Sequence, residues 1–337
     1  MNTPKMTART MPTALYTSLA LLALAAAPAA LGSPTPQLGG VGGPAAGMRY
    51  VPDPGIRMLG GQRPRILLDK DGRYWLTFGI FKDPNDYVTS CMDGLNFPPA
   101  QKKTDDRNNP LVERMPLPDS NGNPIFRKYR LDAPNAQIVS SSSTHGLYFQ
   151  PDPGARYIAS PIDNGLLGVS DTFVNRWGEV VLLYIGDMQP GGRNNVRTAI
   201  AVDNGWTFNL VDVDPFGDFN GPGRGESYVD PKALDLKNGR VRVFTMRQGP
   251  QPPQPGARKV GDIYTFLTED GGRTFQRDPG PVLMPEQFKE FDVWSLNDPM
   301  AVRLKDGRFR IYVAALIDDP NGPGTINAIV SATSWMR

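Results

Sequence analysis

The chain has 337 residues, 39% of them hydrophobic, which is enough to bury a sizeable core. Its 36 basic and 34 acidic residues nearly cancel, which excludes the basic face that a nucleic-acid protein needs. Cys91 is the only cysteine, so an internal disulfide is excluded, and one histidine, His145, excludes a multi-histidine metal site.

Residues 1–32 have the form of a secretory signal peptide. Lys5 and Arg9 supply the positive start, Leu15 to Ala27 the apolar run, and Ala27-Pro28-Ala29 or Ala30-Leu31-Gly32 the small-residue cleavage site. The run is short and alanine-rich for a membrane span, and no cysteine lies near the cleavage site to carry a lipid. A secreted, periplasmic or envelope protein with no membrane span after cleavage is expected. Cleavage removes two basic residues and leaves a formally neutral chain. Residues 33–47 are rich in glycine, proline and alanine and read as a flexible leader, with a single domain over 48–337.

Gly47 to Met58 matches Gly146 to Tyr157, both through a Pro-Asp-Pro-Gly run. The second copy is the exit of a hairpin turn, so the first reads as an exit whose opening half is missing. Asn327 to Trp335 is a strand-like run that stops where a turn should follow. Pairing the first strand with the last explains both truncations.

Two kinds of hairpin recur between these ends. In the first, alternating apolar residues flank a tight turn: Arg63 to Phe78 around Gly72, Asp230 to Phe244 around Gly239, Asp298 to Tyr312 around Gly307, and a looser copy at Asp171 to Tyr184. In the second, an Asp-x-Gly turn exits on an aromatic: Asp203 to Phe208 and Asp270 to Phe275, a shorter form at Asp93 to Phe97, and a copy with His145 in the aspartate place. One hairpin of each kind makes about four strands per unit, the blade of a β-propeller. The expected fold is all-β and five-bladed, with blades near 57–97, 98–149, 156–208, 222–275 and 290–335, the last completed by 48–56. Pro98 to Asp119 is polar and reads as a surface loop. Cys91, beside a turn, reads as a small buried residue, and one short helical turn is expected at Phe288 to Phe291.

The turns at 203–208 and 270–275 resemble the Asp-box of sialidases and their relatives, and the blade pattern extends the resemblance over the whole mature chain. The Asp-box lies on the blade periphery in that family, so it implies the fold and says little of the chemistry. The Arg63-Pro64-Arg65 segment is similar to the first-arginine segment of sialidases, which implies substrate binding by Arg63 and Arg65. Two further arginines of the sialidase set have no counterpart by motif, and five blades differ from the six of sialidases.

Aligning the turns at Gly72, Gly239 and Gly307 puts Arg63, Asp230 and Asp298 at one equivalent position, each before proline, with Asp171 near it in the shorter blade. The innermost strands line a propeller's channel, so these residues are expected at one mouth. Glycoside hydrolysis needs two carboxyl groups across the scissile bond, one protonated and one ionised. The five-bladed arabinan- and xylan-cleaving hydrolases resemble this arrangement, with three acidic residues from different blades. Glu226, in a glycine-rich loop before Asp230, is a further candidate, and Trp294, before Asp298, offers a face for a sugar ring. The expectation is a monomeric, exported glycoside hydrolase with Asp171, Glu226, Asp230 and Asp298 as acid and base, and Arg63, Arg65 and Trp294 on the substrate. No cofactor is expected; a structural cation in the channel stays open. The alternative is a non-catalytic propeller that binds a glycan or protein partner, its Asp-Pro pairs being ordinary turn chemistry.

Overall fold

The computed structural model describes residues 49–187, 194–217, 227–248 and 261–335. They form five antiparallel sheets, the blades of a β-propeller. Blade 5 opens with β1 (Tyr50–Pro52) and β2 (Met58–Leu59). Blade 1 holds β3 (Gly61–Leu68), β4 (Tyr74–Ile80), β5 (Asp86–Cys91) and β6 (Gln101–Lys102). Blade 2 holds β7 (Glu113–Arg114), β8 (Phe126–Asp132), β9 (Gln137–Ser143), β10 (Gln150–Pro151) and β11 (Tyr157–Ile158). Blade 3 holds β12 (Ser170–Val174), β13 (Val180–Asp187), β14 (Asn194–Ala201) and β15 (Asn209–Asp212). Blade 4 holds β16 (Ser227–Lys237), β17 (Arg240–Gln248), β18 (Asp262–Thr268) and β19 (Gln276–Arg277). Blade 5 is completed by β20 (Val293–Arg303), β21 (Phe309–Asp318) and β22 (Thr325–Ser334).

The ring closes as the truncated ends of the repeat require. Tyr50 pairs with Ser334, Val51 with Thr333 and Pro52 with Ala332, and the Trp335 N–H donates to the Arg49 carbonyl at 2.9 Å. Blade boundaries differ from the sequence reading in one respect. The outermost strand follows the aromatic of each Asp-x-Gly turn instead of ending there, so 101–102, 150–158, 209–212 and 276–277 belong to the preceding blade. These strands are short and exposed, with little hydrophobic pattern to mark them. The helical turn expected at 288–291 lies instead at Pro285–Gln287, where proline presets φ for a first turn.

The second strand of blade 3, β13, is buried along its whole length, because a neighbouring blade covers each face. The core therefore sits between blades. Phe173, Val181 and Leu183 of blade 3 pack with Tyr228, Val243 and Phe266 of blade 4, and similar clusters join blades 2 and 3, 4 and 5, and 5 and 1. Among the described residues the seam of blades 1 and 2 has no such cluster. There the polar run after Pro98 makes ion pairs, Asp106 holding both Lys103 (2.7 Å) and Lys128.

The repeated turns fasten each blade to the one before. Asp270 Oδ1 accepts the N–H groups of Arg273 (3.0 Å) and Thr274 (2.9 Å), and Asp203 Oδ1 those of Trp206 and Thr207 (2.9 Å each). A turn held in this way presents its carbonyls outward. Tyr312 of blade 5 donates to Gly94 O (2.7 Å), Tyr129 of blade 2 to Gly205 O (3.0 Å) and Asn175 of blade 3 to Gly271 O (3.1 Å). In the His145 copy the ring Nδ1 takes the aspartate's part and accepts the Leu147 N–H at 3.2 Å. His145 is thus a turn residue, and Cys91 is buried at the end of β5.

Candidate active site

Three inner strands carry the same irregularity. Between Gln62 and Arg65, Val229 and Lys232, and Asn297 and Met300, two residues oppose one on the partner strand. Each is a β-bulge, and each is an X-Pro pair. Proline has no N–H for the ladder and pushes the residue before it out of the right-handed region. In these bulges Arg63, Asp230 and Asp298 leave the extended region as well and stand at φ of +53°, +55° and +48°. Non-glycine residues in this region are strained, and such strain concentrates at functional positions. The bulge turns each side chain out of the strand's alternation at the same level of the ring.

The level is tied together by backbone donors. The Asp298 N–H points at Asp230 Oδ2, 3.4 Å away, and the Arg63 N–H hydrogen-bonds the Asp298 carboxyl. Both aspartates are half-buried. Burial first, and then the charge of Asp298, push the Asp230 carboxyl up to about 7. Burial also raises Asp298, against the opposing pull of Lys232, Arg63 and Arg65. Two facing carboxyls whose proton affinities are both raised resist joint ionisation, the kind of pair from which acid–base catalysis draws its acid and its base.

The proton on Asp230 has a consequence for stability. The unfolded chain releases it near the ordinary 3.8, whereas the fold holds it to about 7. The contribution of this one group to stability is therefore greatest below pH 4, declines as pH rises between these values, and is lost above them. Asp230→Asn, which cannot ionise, is expected to flatten that decline and to raise Tm at pH 8 by about 2–4 °C. Thermal melts of both proteins between pH 4.5 and 8 measure it, and parallel Tm curves would refute it.

Asp171 does not join this level. Thr172, not proline, follows it, and β12 pairs without a bulge, Asp171 with Leu183 and Thr172 with Leu182. Counted from the hairpin turn, Asp171 is level with Arg65, Lys232 and Met300, two residues further along the inner strands. It is buried, accepts the Ala233 N–H at 2.8 Å, and lies 3.8 Å from Lys232 Nζ. Burial raises its carboxyl, and Lys232 opposes that most strongly. Arg65, on the same level, pairs with Asp86 at 3.4 Å.

Glu113, on β7 of blade 2, was not singled out in the sequence. It pairs with Arg127 as Val302 pairs with Arg310, which puts it a further step along the channel wall. Burial, then the charge of Asp171, push its carboxyl up to about 8. Its inner strand has two residues inside a polar, proline-rich run, so no hairpin repeat advertised it.

Arg63 is exposed, and its guanidinium lies over Gly79, where any Cβ would collide with it. Among the described residues that side chain has no hydrogen bond or ion pair. Trp294 is 47% exposed near the start of β20, and its indole N–H is held by Asp318 Oδ1 at 2.7 Å. Glu226 lies outside the described residues. The structure thus brings Arg63, Asp230 and Asp298 together, sets Asp171 and Arg65 one level along, and leaves Trp294 at the start of β20.

No protein-family model matches the chain, and no curated protein matches it in sequence. Among solved structures its fold is similar to that of an alpha-L-arabinofuranosidase from Lactobacillus brevis, with TM-score 0.52 and 12% identity over 85% of this chain and 94% of that one. An endo-arabinase from Bacteroides thetaiotaomicron aligns with TM-score 0.49 and 15% identity over 84% of this chain and 96% of that one. An endo-1,4-beta-xylanase from the same organism aligns with TM-score 0.49 and 12% identity over 82% and 97%. At such identities the likeness to the arabinofuranosidase is one of fold. The fold similarity is thus to a named arabinofuranosidase and not to a sialidase.

Proposed function

We propose that the protein is an exported glycoside hydrolase that cleaves a glycan at the mouth of its propeller channel. The observation that carries this reading is the pairing of Asp230 and Asp298 from different blades, on matching strained bulges and joined through the Asp298 N–H. Asp230 is the general acid that protonates the leaving oxygen. Asp298 is the ionised partner on the other side of the reacting carbon. Arg63, whose guanidinium makes no hydrogen bond or ion pair among the described residues, binds sugar oxygens or an anionic substituent, and Trp294 offers a face for a ring. The fold shared with an arabinofuranosidase supports a glycan of the arabinan or xylan kind over one ending in sialic acid, whose recognition would need two more channel arginines. Among the described residues Arg127, Arg242 and Arg310 are instead buried on second strands, in ion pairs with Asp152, Asp278 and Asp53. Export rests on residues 1–32.

Reducing-end release from a panel of arabinans, xylans, other plant and bacterial glycans and aryl glycosides tests the reading. Turnover of any member that is lost in Asp298→Asn supports it. A wild-type protein that binds a glycan and releases nothing from the panel would mark a non-catalytic propeller.

A further inference from the structure

We propose that Trp294, pinned by Asp318, is the platform for a sugar other than the one that reacts, so that the site takes a glycan of several units laid over the rim of blade 5. This rests on the glycoside hydrolase reading for its effect on turnover, though not for its effect on binding. Trp294 and Asp298 share β20, and that strand carries a second bulge. Val293 pairs with Ile317 and Ser295 with Leu316, which leaves Trp294 unpaired between them. A bulge re-aims the side chain that it frees. The freed indole is then held from the neighbouring strand, its N–H donating to Asp318 Oδ1 at 2.7 Å. Asp318 is the last residue of β21, the strand on the outer side of β20, so the ring is drawn away from the channel axis.

The other tryptophans are engaged differently. Trp177 lies under the guanidinium groups of Arg176 and Arg273, 4.5 and 4.8 Å from the ring centroid. Trp206 lies under those of Arg127 and Arg156, at 4.0 and 4.5 Å. Trp75 is half-buried with its N–H on Asp69 Oδ2, and Trp335 follows β22 at the opposite end of blade 5. Trp294 is 47% exposed, and among the described residues no cation or aromatic ring covers it. Its polar edge is satisfied and its apolar face is in water, which suits the C–H face of a sugar ring. The hydrogen bond from Asp318 fixes the rotamer beforehand, so little freedom is lost on binding. Trp294 stands four residues before Asp298, about 10–13 Å of strand. One sugar ring is too short to span that and also reach a ring drawn outward. The sugar on Trp294 is therefore a neighbour of the one whose bond Asp230 and Asp298 break.

Kinetics of the full chain on arabino- and xylo-oligosaccharides, from dimer to hexamer, and on the matching aryl monoglycosides test this. Trp294→Ala is expected to raise KM for a cleaved hexamer about tenfold, while kcat/KM on the aryl monoglycoside, too short to reach the platform, falls less than about twofold. Asp318→Ala should raise the hexamer KM about threefold, and Asp318→Asn, which keeps an acceptor for the indole N–H, should bring it back. Asp318 is a positioning residue, so its effect must run through that N–H. In a Trp294→Phe background, Asp318→Ala should change nothing further. If Trp294→Ala fails to fold, Asp318→Ala, at an exposed position, carries the same expectation. A second readout needs no turnover: in calorimetric titration the wild type should bind hexamers more tightly than dimers, and Trp294→Ala should lose that gain. Hexamer binding that depends on Trp294, with no sugar released, would support the platform and remove the hydrolase reading. Turnover with the same chain-length dependence in Trp294→Ala as in wild type would overturn the platform and leave the hydrolase reading standing. A wild type that neither binds nor cleaves any of these oligosaccharides would overturn the platform as well.

Discussion

Asp298→Asn and Asp230→Asn are each expected to lower kcat on the cleaved glycan by about 10²–10⁴-fold, the usual contribution of a positioned acid or base. KM should change far less, since neither carboxyl is the main handle on the sugar. Asparagine suits the experiment because it tolerates positive φ nearly as well as aspartate, so the bulges at +55° and +48° survive the exchange. It also keeps an oxygen for the Asp298 N–H at the Asp230 position. The two variants should then differ by substrate. An aryl glycoside with an acidic phenol as leaving group needs little protonation, so it should recover much of its rate in Asp230→Asn. It should recover none in Asp298→Asn, where the ionised partner is gone. Equal recovery in both would reverse or abolish the assignment. Activity of both variants within threefold of wild type would remove the aspartate pair from the mechanism.

Asp163→Ala is expected to cost about 3–5 kcal/mol of stability, the loss seen when one member of a buried ion pair is removed. For a domain of this size that lowers Tm by about 10 °C, measurable by calorimetry. Asp163 and Arg197 are both fully buried, with Nη1 to Oδ1 at 2.5 Å. Tyr157 (2.9 Å), Tyr184 (3.0 Å) and Ser160 (2.9 Å) also donate to the carboxylate. Burial by itself would raise its pKa, but the bonds from Ser160, Tyr157 and Tyr184 outweigh it and hold the carboxyl below its ordinary range. The network links blade 2, through Tyr157, to blade 3, through Tyr184 and Arg197. Its loss loosens a seam between blades, not the channel. A Tm within 3 °C of wild type would show that water enters and satisfies the stranded guanidinium.

The repeat made the ring legible. The match of Gly47–Met58 to Gly146–Tyr157 points to one hairpin split between the chain ends, and β1 pairs with β22 as that requires. The X-Pro positions at Arg63, Asp230 and Asp298 were equally open to alignment, because each stands nine residues before the glycine of its hairpin turn, and all three prove to be bulges. Glu113 was hidden, since a two-residue strand carries no period to count. Asp171, read as near that position in a shorter blade, stands two residues further along, and with no proline after it its strand keeps its register.

The order of residues, by itself, determined the blade repeat, its closure, and which side chains fall on matching bulges. All three follow from local rules of turn, strand and proline that neighbouring residues enforce. Only the tertiary structure decided that burial raises the carboxyls of Asp230, Asp298, Asp171 and Glu113, and that Glu113 and Asp171 lie further along the channel. Proton affinity and ion pairing depend on the distance between charges and on the water left around them. Those distances are set where blades far apart in sequence meet.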